Sequence, residues 1–426
     1  MRERASLEVA RIAPSGEGVG SLDGREVIVA GAFGGERALV EIVHRSRQHA
    51  RAAGRLVSLE RVHSSRREPP CARHERARGR CGGCPLMELD EAAQREAKRA
   101  MLAALGLPVG ELVARGPSLG YRMSSKRVAF GRCGALRLGS WARGSHEGAS
   151  MRGCLVDHPR LVEAAEELER EASALGIAPF DEARGEGDLR YAWLKTDGER
   201  VLLTLITAGE QSEAARELPA RLSCADGVAW SVQPARGNAI RGSAPRMLRG
   251  APSLRVSIAG VPVEVGPLGF LQPNPTLIER AYLDLVTDEQ GRALGGALAW
   301  DLYAGAGVTT ALLARSFARV VPCESYPESA AALGVAPCTV ESFLERGGQR
   351  PELVVANPPR KGLGERVCAA LARIGAPRVH LMSCGPEGLA RDLARLCAAG
   401  YRLASLAAYD SLPQTPHVEL VARLVR

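Results

Sequence analysis

Two side chains near the C-terminus are of types that can do covalent chemistry together: Cys384 in "RVHLMSCGPEGLARDL" and Glu419 in "PQTPHVELVARL". The apolar run before Cys384 reads as a strand that ends on the thiol. Pro386 suits the first turn of a helix whose Leu389, Leu393 and Leu396 share one face before Gly400 stops it. A thiol just ahead of a helix N-terminus is expected to lie closer to its thiolate, because the dipole and the free amide hydrogens favour negative charge. That address makes Cys384 a candidate nucleophile, whereas Cys323, Cys338, Cys368 and Cys397 read as ordinary buried thiols. Glu419 opens a last strand behind the rigid Pro413–Pro416 loop. Alone it reads as a solvated edge residue; beside a thiol at the same sheet edge it could serve as a base.

Such a pair needs a sheet to hold it and a pocket to work in. "ALAWDLYAGAGVTTALLARSF" is an apolar strand ending in Asp301, a turn with Gly305 and Gly307, and then a helix, so the backbone can approach a ligand closely. A second strand finishes on Glu324, where a carboxylate could take the two hydroxyls of a ribose. Thr310 stands where a dinucleotide fingerprint has its third glycine. An adenosine ligand without a pyrophosphate, such as S-adenosylmethionine, fits that turn better; an α/β domain with an empty turn is the alternative. A third strand ends at Asn357-Pro358-Pro359-Arg360, whose prolines stiffen a loop that holds Asn357 at the carboxyl edge of the sheet. Enzymes that methylate exocyclic amines place an aromatic ring where Arg360 stands, which argues against that chemistry.

The remainder of the 426 residues reads as a multidomain α/β chain. Residues 1–62 alternate in short β-branched runs between glycine-rich turns, the pattern of a small β-barrel. Residues 63–265 mix strands with helices expected over 89–107 and near 160–175, and 266–426 alternate strand and helix as a doubly wound, Rossmann-like domain does. Helix 89–107 is expected to pack on that last domain. No apolar run approaches a membrane span and no signal peptide opens the chain, so a soluble, cytoplasmic protein is expected, with no obligate protein partner implied. Net charge is +8 and unevenly spread: eleven arginines lie between Arg45 and Arg80, and eight basic residues between Arg115 and Arg152. Arginine binds phosphate through two donors, so a nucleic acid is the expected partner, the bland alternative being a genome-wide composition bias, since arginine outnumbers lysine 52 to 4.

In order along the chain, "DLYAGAG", "NPPRKGL", "SCGPEGLARDL" and "PQTPHVE" resemble the RNA (uracil-5-)-methyltransferase family, and "GPLGFLQPNP" resembles the segment before its nucleotide domain. The resemblance implies a TRAM, OB-like barrel at the front and a class I methyltransferase domain at the back. It implies S-adenosylmethionine as cofactor, contacted by Gln272, Tyr303 and Asn357 besides Gly305, Gly307 and Glu324. Cys384 would then add to carbon 6 of a uracil and Glu419 would take the hydrogen from carbon 5. It also implies that Cys71, Cys81, Cys84 and Cys154 hold a four-iron four-sulfur cluster, with zinc as the competing occupant and Cys133 as a spare thiol nearby. The basic residues Arg66, Arg67, Arg73, Arg76, Arg78, Arg80, Arg122, Lys126 and Arg127 would line a phosphate-binding face, with 23S ribosomal RNA favoured as substrate and transfer RNA second. The rival readings are a methyltransferase acting on another base and a noncatalytic RNA-binding scaffold. Asn357 stands where the family has aspartate, Ala304 where it has cysteine, and Leu271 in place of the second phenylalanine of "FFQ".

Overall fold

The computed structural model describes residues 3–77, 80–235, 237 and 239–426; Arg78 lies outside them. Five strands, β1 (Arg4–Ile12), β2 (Gly18–Leu22), β3 (Arg25–Val29), β4 (Arg37–Arg45) and β5 (Arg51–Arg61), close into a barrel of order β1-β2-β3-β5-β4. The alternating apolar positions turn inward: Leu7, Val9, Val27, Val29 and Val40 form its core.

The middle of the chain builds a seven-stranded sheet from β6 (Ser124–Arg132), β7 (Ala135–Trp141), β8 (Gly148–Ser150), β9 (Leu189–Thr196), β10 (Val201–Thr207), β11 (Gly227–Val232) and β12 (Arg246–Gly250), ordered β12-β11-β10-β9-β6-β7-β8. Helix α1 (Glu91–Ala104) precedes it, capped by Asp90, whose carboxylate accepts from the Ala93 amide at 2.8 Å. Helix α2 (Pro159–Ala174) covers one face, seating Leu161, Ala165 and Leu168 on Leu194, Leu203 and Leu205; α3 (Glu213–Glu217) caps the same side. The opposite face carries Val128, Tyr191 and Trp193.

A third sheet, β15 (Gly296–Leu302), β16 (Phe317–Cys323), β17 (Leu353–Ala356), β18 (Arg378–Ser383), β19 (Arg402–Tyr409) and β20 (Glu419–Val425), runs in the order β16-β15-β17-β18-β20-β19. The first four of that order pair in parallel, and β20 runs antiparallel to both of its neighbours. Because side chains alternate with a period of two, each strand feeds two cores. Trp300, Val354, Val379 and Leu420 pack towards α8 (Glu365–Ile374), α9 (Pro386–Ala398) and Met101 and Leu102 of α1. Ala299, Val355, Met382 and Val421 pack on α4 (Pro275–Leu285), α5 (Val308–Leu313) and a hairpin of β13 (Leu254–Ile258) and β14 (Val261–Val265). Short helices α6 (Pro327–Ala332) and α7 (Val340–Glu345) complete the layer. The hairpin thus shares the core of the C-terminal sheet although it follows the central sheet in sequence. No helix among the described residues is long and apolar enough to cross a membrane.

Three arginines read above as surface phosphate binders are internal. Arg66 is 10% exposed and joins the barrel to the segment before α1, bonding Glu36 at 2.8 Å, Glu88, and the Gly31 carbonyl at 2.8 Å. Arg127 is fully buried against Asp157 at 2.8 Å, and Arg122 lies beside the same carboxylate. Composition marks an arginine as polar, but a guanidinium can equally be buried when carboxylates on two elements meet it. Removing one partner of a buried ion pair costs about 3–5 kcal/mol because the other charge is stranded. Arg66→Ala is therefore expected to lower the urea midpoint markedly by circular dichroism, and an unchanged midpoint would show that the network contributes nothing.

Candidate active site

Ser383 of β18 pairs with Leu420 of β20, and the pairing runs antiparallel. Cys384 directly follows Ser383 and Glu419 directly precedes Leu420, so both lie at the end of that ladder, where the carboxyl acts on the thiol. Glu419 is 6% exposed, which corrects the reading of it as a solvated edge residue. Burial pushes its carboxyl up to about 8, with Arg360 pulling the other way. Cys384 is half-buried, and its thiol lies above its ordinary value, first through burial and then through the neighbouring Glu419, again opposed by Arg360. The expected lowering by the helix dipole is overturned. Desolvation and a carboxyl neighbour outweigh it, and the Gly385 amide at the helix start donates to the Ser383 hydroxyl at 3.2 Å.

Arg360 is the functional neighbour that the residue types alone did not single out. Its loop reaches the thiol because Gly385 and Gly388 carry no side chain. A β-carbon on Gly385 would overlap the Arg360 carbonyl oxygen, and one on Gly388 would stand 2.7 Å from it. Beyond the loop, the buried Asp392 of α9 accepts from the amides of Leu363 at 2.6 Å and Gly364 at 3.2 Å. The order Asn-Pro-Pro-Arg followed by Cys-Gly-Pro-Glu-Gly at two adjacent strand exits is the signal that could have located this contact.

The loop ahead of Glu419 is clamped from the other side by α1. Lys98, fully buried, bonds Asp410 at 2.5 Å and the carbonyls of Leu412 and His417 at 3.3 and 3.2 Å. Gln94 exchanges two hydrogen bonds with Gln414: its amide donates to the Gln414 side chain at 2.8 Å, and the Gln414 backbone amide donates back at 2.9 Å. Gln414 sits at φ +70°, a conformation that such a clamp can hold. The Leu86 amide donates to the Gln414 carbonyl at 3.1 Å, and the Tyr121 hydroxyl donates to the Pro413 carbonyl at 2.9 Å.

The residues read as cofactor contacts line the same sheet edge. Tyr303 adopts φ +60°, Gly305 +55° and Gly307 +81°, so three left-handed residues turn the chain from β15 into α5. Glu324 accepts from the amides of Gly305 at 2.8 Å, Ser325 at 2.8 Å and Tyr326 at 2.6 Å, which fixes its carboxylate beside that turn. Burial raises the Asp301 carboxyl to about 7, although the Thr310 hydroxyl donates to it at 2.6 Å. Asn357 follows β17 directly, its amide donating to the Leu302 carbonyl at 3.2 Å. The Gln272 side chain bonds Tyr282, whose hydroxyl burial pushes up to about 12 and which also faces Glu419 and Asp301. Tyr282, unmarked in the sequence, is buried in the core beneath this sheet edge, where the Glu419 and Asp301 carboxyls influence it.

Cys71, Cys81, Cys84 and Cys154 line one separate pocket with His74 and Met151. Burial pushes Cys84 far up, Arg122 opposes this, and the sulfurs of Cys154, Cys81 and Cys71 add to the rise; Cys154 is pushed to about 11 by burial and Asp157. Among the described residues no three cysteine, histidine or acidic side chains are gathered closely enough to hold a metal ion as they stand. The donor set, four thiols in a largely apolar recess, nonetheless suits a soft metal centre. Leu412, from the loop ahead of Glu419, packs with Cys71, Cys84 and Cys154, so this pocket and that loop share a core. Cys133 is exposed and donates instead to the Gly176 carbonyl at 3.0 Å. Cys323 and Cys368 are buried as read, whereas Cys338, in the loop before α7, is half-buried and Cys397, near the end of α9, is exposed.

No family profile matches the chain. It is 32% identical over 457 residues to an uncharacterized RNA methyltransferase of Gloeobacter violaceus, covering 100% of this chain and 97% of that one. It is 30% identical over 452 residues to an uncharacterized RNA methyltransferase of a Nostoc species, covering 99% and 96%. Among solved structures it is similar to the Pyrococcus abyssi tRNA (uracil-54, C5)-methyltransferase bound to S-adenosyl-L-homocysteine, with a TM-score of 0.74, 24% identity, and 98% of this chain and 100% of that one covered.

Lys98→Met is expected to release the clamp, because Asp410 loses its cation and two loop carbonyls lose their donor. Hydrogen exchange at the Leu86 and Gln414 amides should accelerate by an order of magnitude or more; exchange as slow as in the wild type would refute the clamp.

Proposed function

The chain belongs to the RNA methyltransferase family, and we propose that it moves a methyl group from S-adenosylmethionine to carbon 5 of a uridine through a transient covalent bond from Cys384. The observation that carries this reading is the cross-strand pair of Cys384 and Glu419 with Arg360 at their side. Carbon 5 of uracil is a weak nucleophile. Addition of the Cys384 sulfur to carbon 6 pushes the ring electrons towards carbon 5 and the carbonyl oxygen, which makes carbon 5 able to attack. Arg360 favours the thiolate that this step needs and stabilises the charge leaving it. After methylation, Glu419 takes the hydrogen from carbon 5, the ring double bond re-forms, and the sulfur departs as thiolate. Gln272, Tyr303, Gly305, Gly307, Glu324 and Asn357 would hold the cofactor, which supplies an electrophilic methyl group on a sulfonium. A base edge inside a stack is out of reach, so the target uridine is splayed into the pocket.

In this reading residues 1–62 are a TRAM-like RNA-binding barrel, 63–265 a central domain and 266–426 the methyltransferase domain, working in the cytoplasm. The thiols of Cys71, Cys81, Cys84 and Cys154 around one recess support a four-iron four-sulfur cluster; a single zinc ion would need them drawn closer, with metal–sulfur bonds of about 2.3 Å. Its role is structural, since methyl transfer moves no electron pair to or from a metal. Ribosomal RNA of the large subunit is the favoured substrate and transfer RNA, the substrate class named for the Pyrococcus protein, the second.

Incubation with labelled cofactor and each unmodified RNA, followed by digestion, should yield 5-methyluridine. Label on an amine nitrogen would overturn the uracil reading, and RNA binding without transfer would overturn catalysis. A substrate carrying 5-fluorouridine has no hydrogen for Glu419 to take, so a covalent RNA–protein adduct should accumulate with the wild type and be absent with Cys384→Ala. Glu419→Gln should accumulate the same adduct on ordinary uridine.

The pH dependence follows from the protonated resting state. Glu419 accepts a proton only once it has lost its own, so adduct breakdown should rise about tenfold per pH unit below about 8 and level off above it. A single-turnover profile that is flat across this window would remove Glu419 from the proton transfer.

A further inference from the structure

The face of the central sheet left uncovered by α2 gathers Lys126, Lys195 and Arg241. Lys195 of β9 is fully buried, and its ammonium stands 4.0 Å from the centre of the Trp193 ring while donating to the carbonyls of Gly266 at 3.0 Å and Pro267 at 2.5 Å. Lys126 of β6 is exposed and stands 4.1 Å from the same ring centre. Arg241, also exposed, lies 4.7 Å over the ring of Tyr326. Among the described residues no ion pair joins any of the three to a carboxylate. Of the acids near this surface, Glu328 lies beside Tyr326, and Glu182 accepts from the Tyr191 hydroxyl at 3.3 Å and pairs with Arg190 at 2.9 Å. Burial, followed by the charges of Lys126 and Arg241, pushes Lys195 down to about 6, and Lys126 is lowered by burial and Arg241. Like charges gathered around a buried ammonium are costly unless an anion joins them.

The place of this cluster identifies the anion. Tyr326 follows Glu324 by two residues and so borders the turn read as the cofactor pocket. Gly266 and Pro267, held by Lys195 and by the Thr204 hydroxyl at 2.9 Å, lead into the segment that ends in Gln272. The cluster therefore borders the segments that carry Glu324 and Gln272. We propose that Lys126 and Arg241, backed by Lys195, form a phosphate-binding site for the backbone of the single-stranded RNA flanking the splayed nucleotide. This rests on the RNA methyltransferase reading and deepens it: Lys126 and Arg241 take the phosphates, while Lys195 fixes the 266–267 backbone beneath them. Of the nine cations read from the sequence as a phosphate face, this assigns Lys126 a partner, and it adds two that the sequence did not mark.

The test uses full-length protein and a fluorescent, unmodified RNA whose affinity is measured by anisotropy over a range of potassium chloride concentrations. Each single-strand phosphate contact contributes a slope of about 0.7 in log affinity against log salt. Lys126→Ala with Arg241→Ala should lower the slope by about 1.4 and raise KM for RNA several-fold, with KM for the cofactor and kcat at saturating RNA unchanged. Both side chains are exposed, so the variant is expected to fold, which circular dichroism verifies. A slope and a KM for RNA equal to the wild type's, in a wild type that methylates RNA, would overturn the phosphate site alone. A lowered slope in a protein whose wild type transfers no methyl group would overturn the methyltransferase reading and leave the phosphate site standing.

Discussion

The antiparallel register between β18 and β20 is the constraint from which the candidate site follows. Ser383 opposite Leu420 brings Cys384 and Glu419, two residues thirty-five positions apart in the chain, to the same end of the ladder. Registers of this kind are not adjustable by degrees. A slip of one residue would turn every side chain of β20 to the other face, exchanging Leu420 and Ala422 of one core with Val421 of the other. The two hydrophobic cores on either side of the sheet thus set the separation of a thiol and a carboxyl that belong to neither.

What surrounds the pair keeps it in place from three directions. Gly385 and Gly388 let the Arg360 loop lie against the start of α9, Asp392 ties the far end of that loop, and α1 clamps the loop before Glu419 through Lys98 and Gln94. Both members of the pair rest protonated, because burial outweighs the one guanidinium nearby. A carboxyl kept neutral in this way does not repel the thiolate when it forms, and it becomes a strong base once its proton is lost. The four-cysteine pocket enters the same arrangement, since Leu412 packs against its thiols and Leu86 bonds Gln414. A structural centre there would brace the loop ahead of Glu419.

The arginine-rich composition divides between two uses. Arg66 and Arg127 are buried ties between elements, each facing carboxylates, whereas Arg73, Arg76 and Arg80 stay on the surface. With only four lysines in the chain, two of them, Lys126 and Lys195, flank one tryptophan ring, and a third, Lys98, is the buried clamp.

Much of this was legible in the sequence. Period-two runs and glycine turns marked the barrel, the strand-helix alternation marked the last domain, composition marked α1, and Pro386 and Gly400 bracketed α9, each to within a few residues. Cys384, Glu419, the glycine turn and Glu324 were legible because their motifs are local: a strand exit, a tight turn, a helix start. Tyr282, Arg360 and the Lys98 clamp were not, because each acts on residues distant in sequence, and the burial that determines whether a cation is a surface charge or an internal tie is a property of the packed chain. The same holds for the Cys384 thiol. Its place before a helix was written in the sequence, but the desolvation and the facing carboxyl that override the dipole arise only when β20 folds in beside β18.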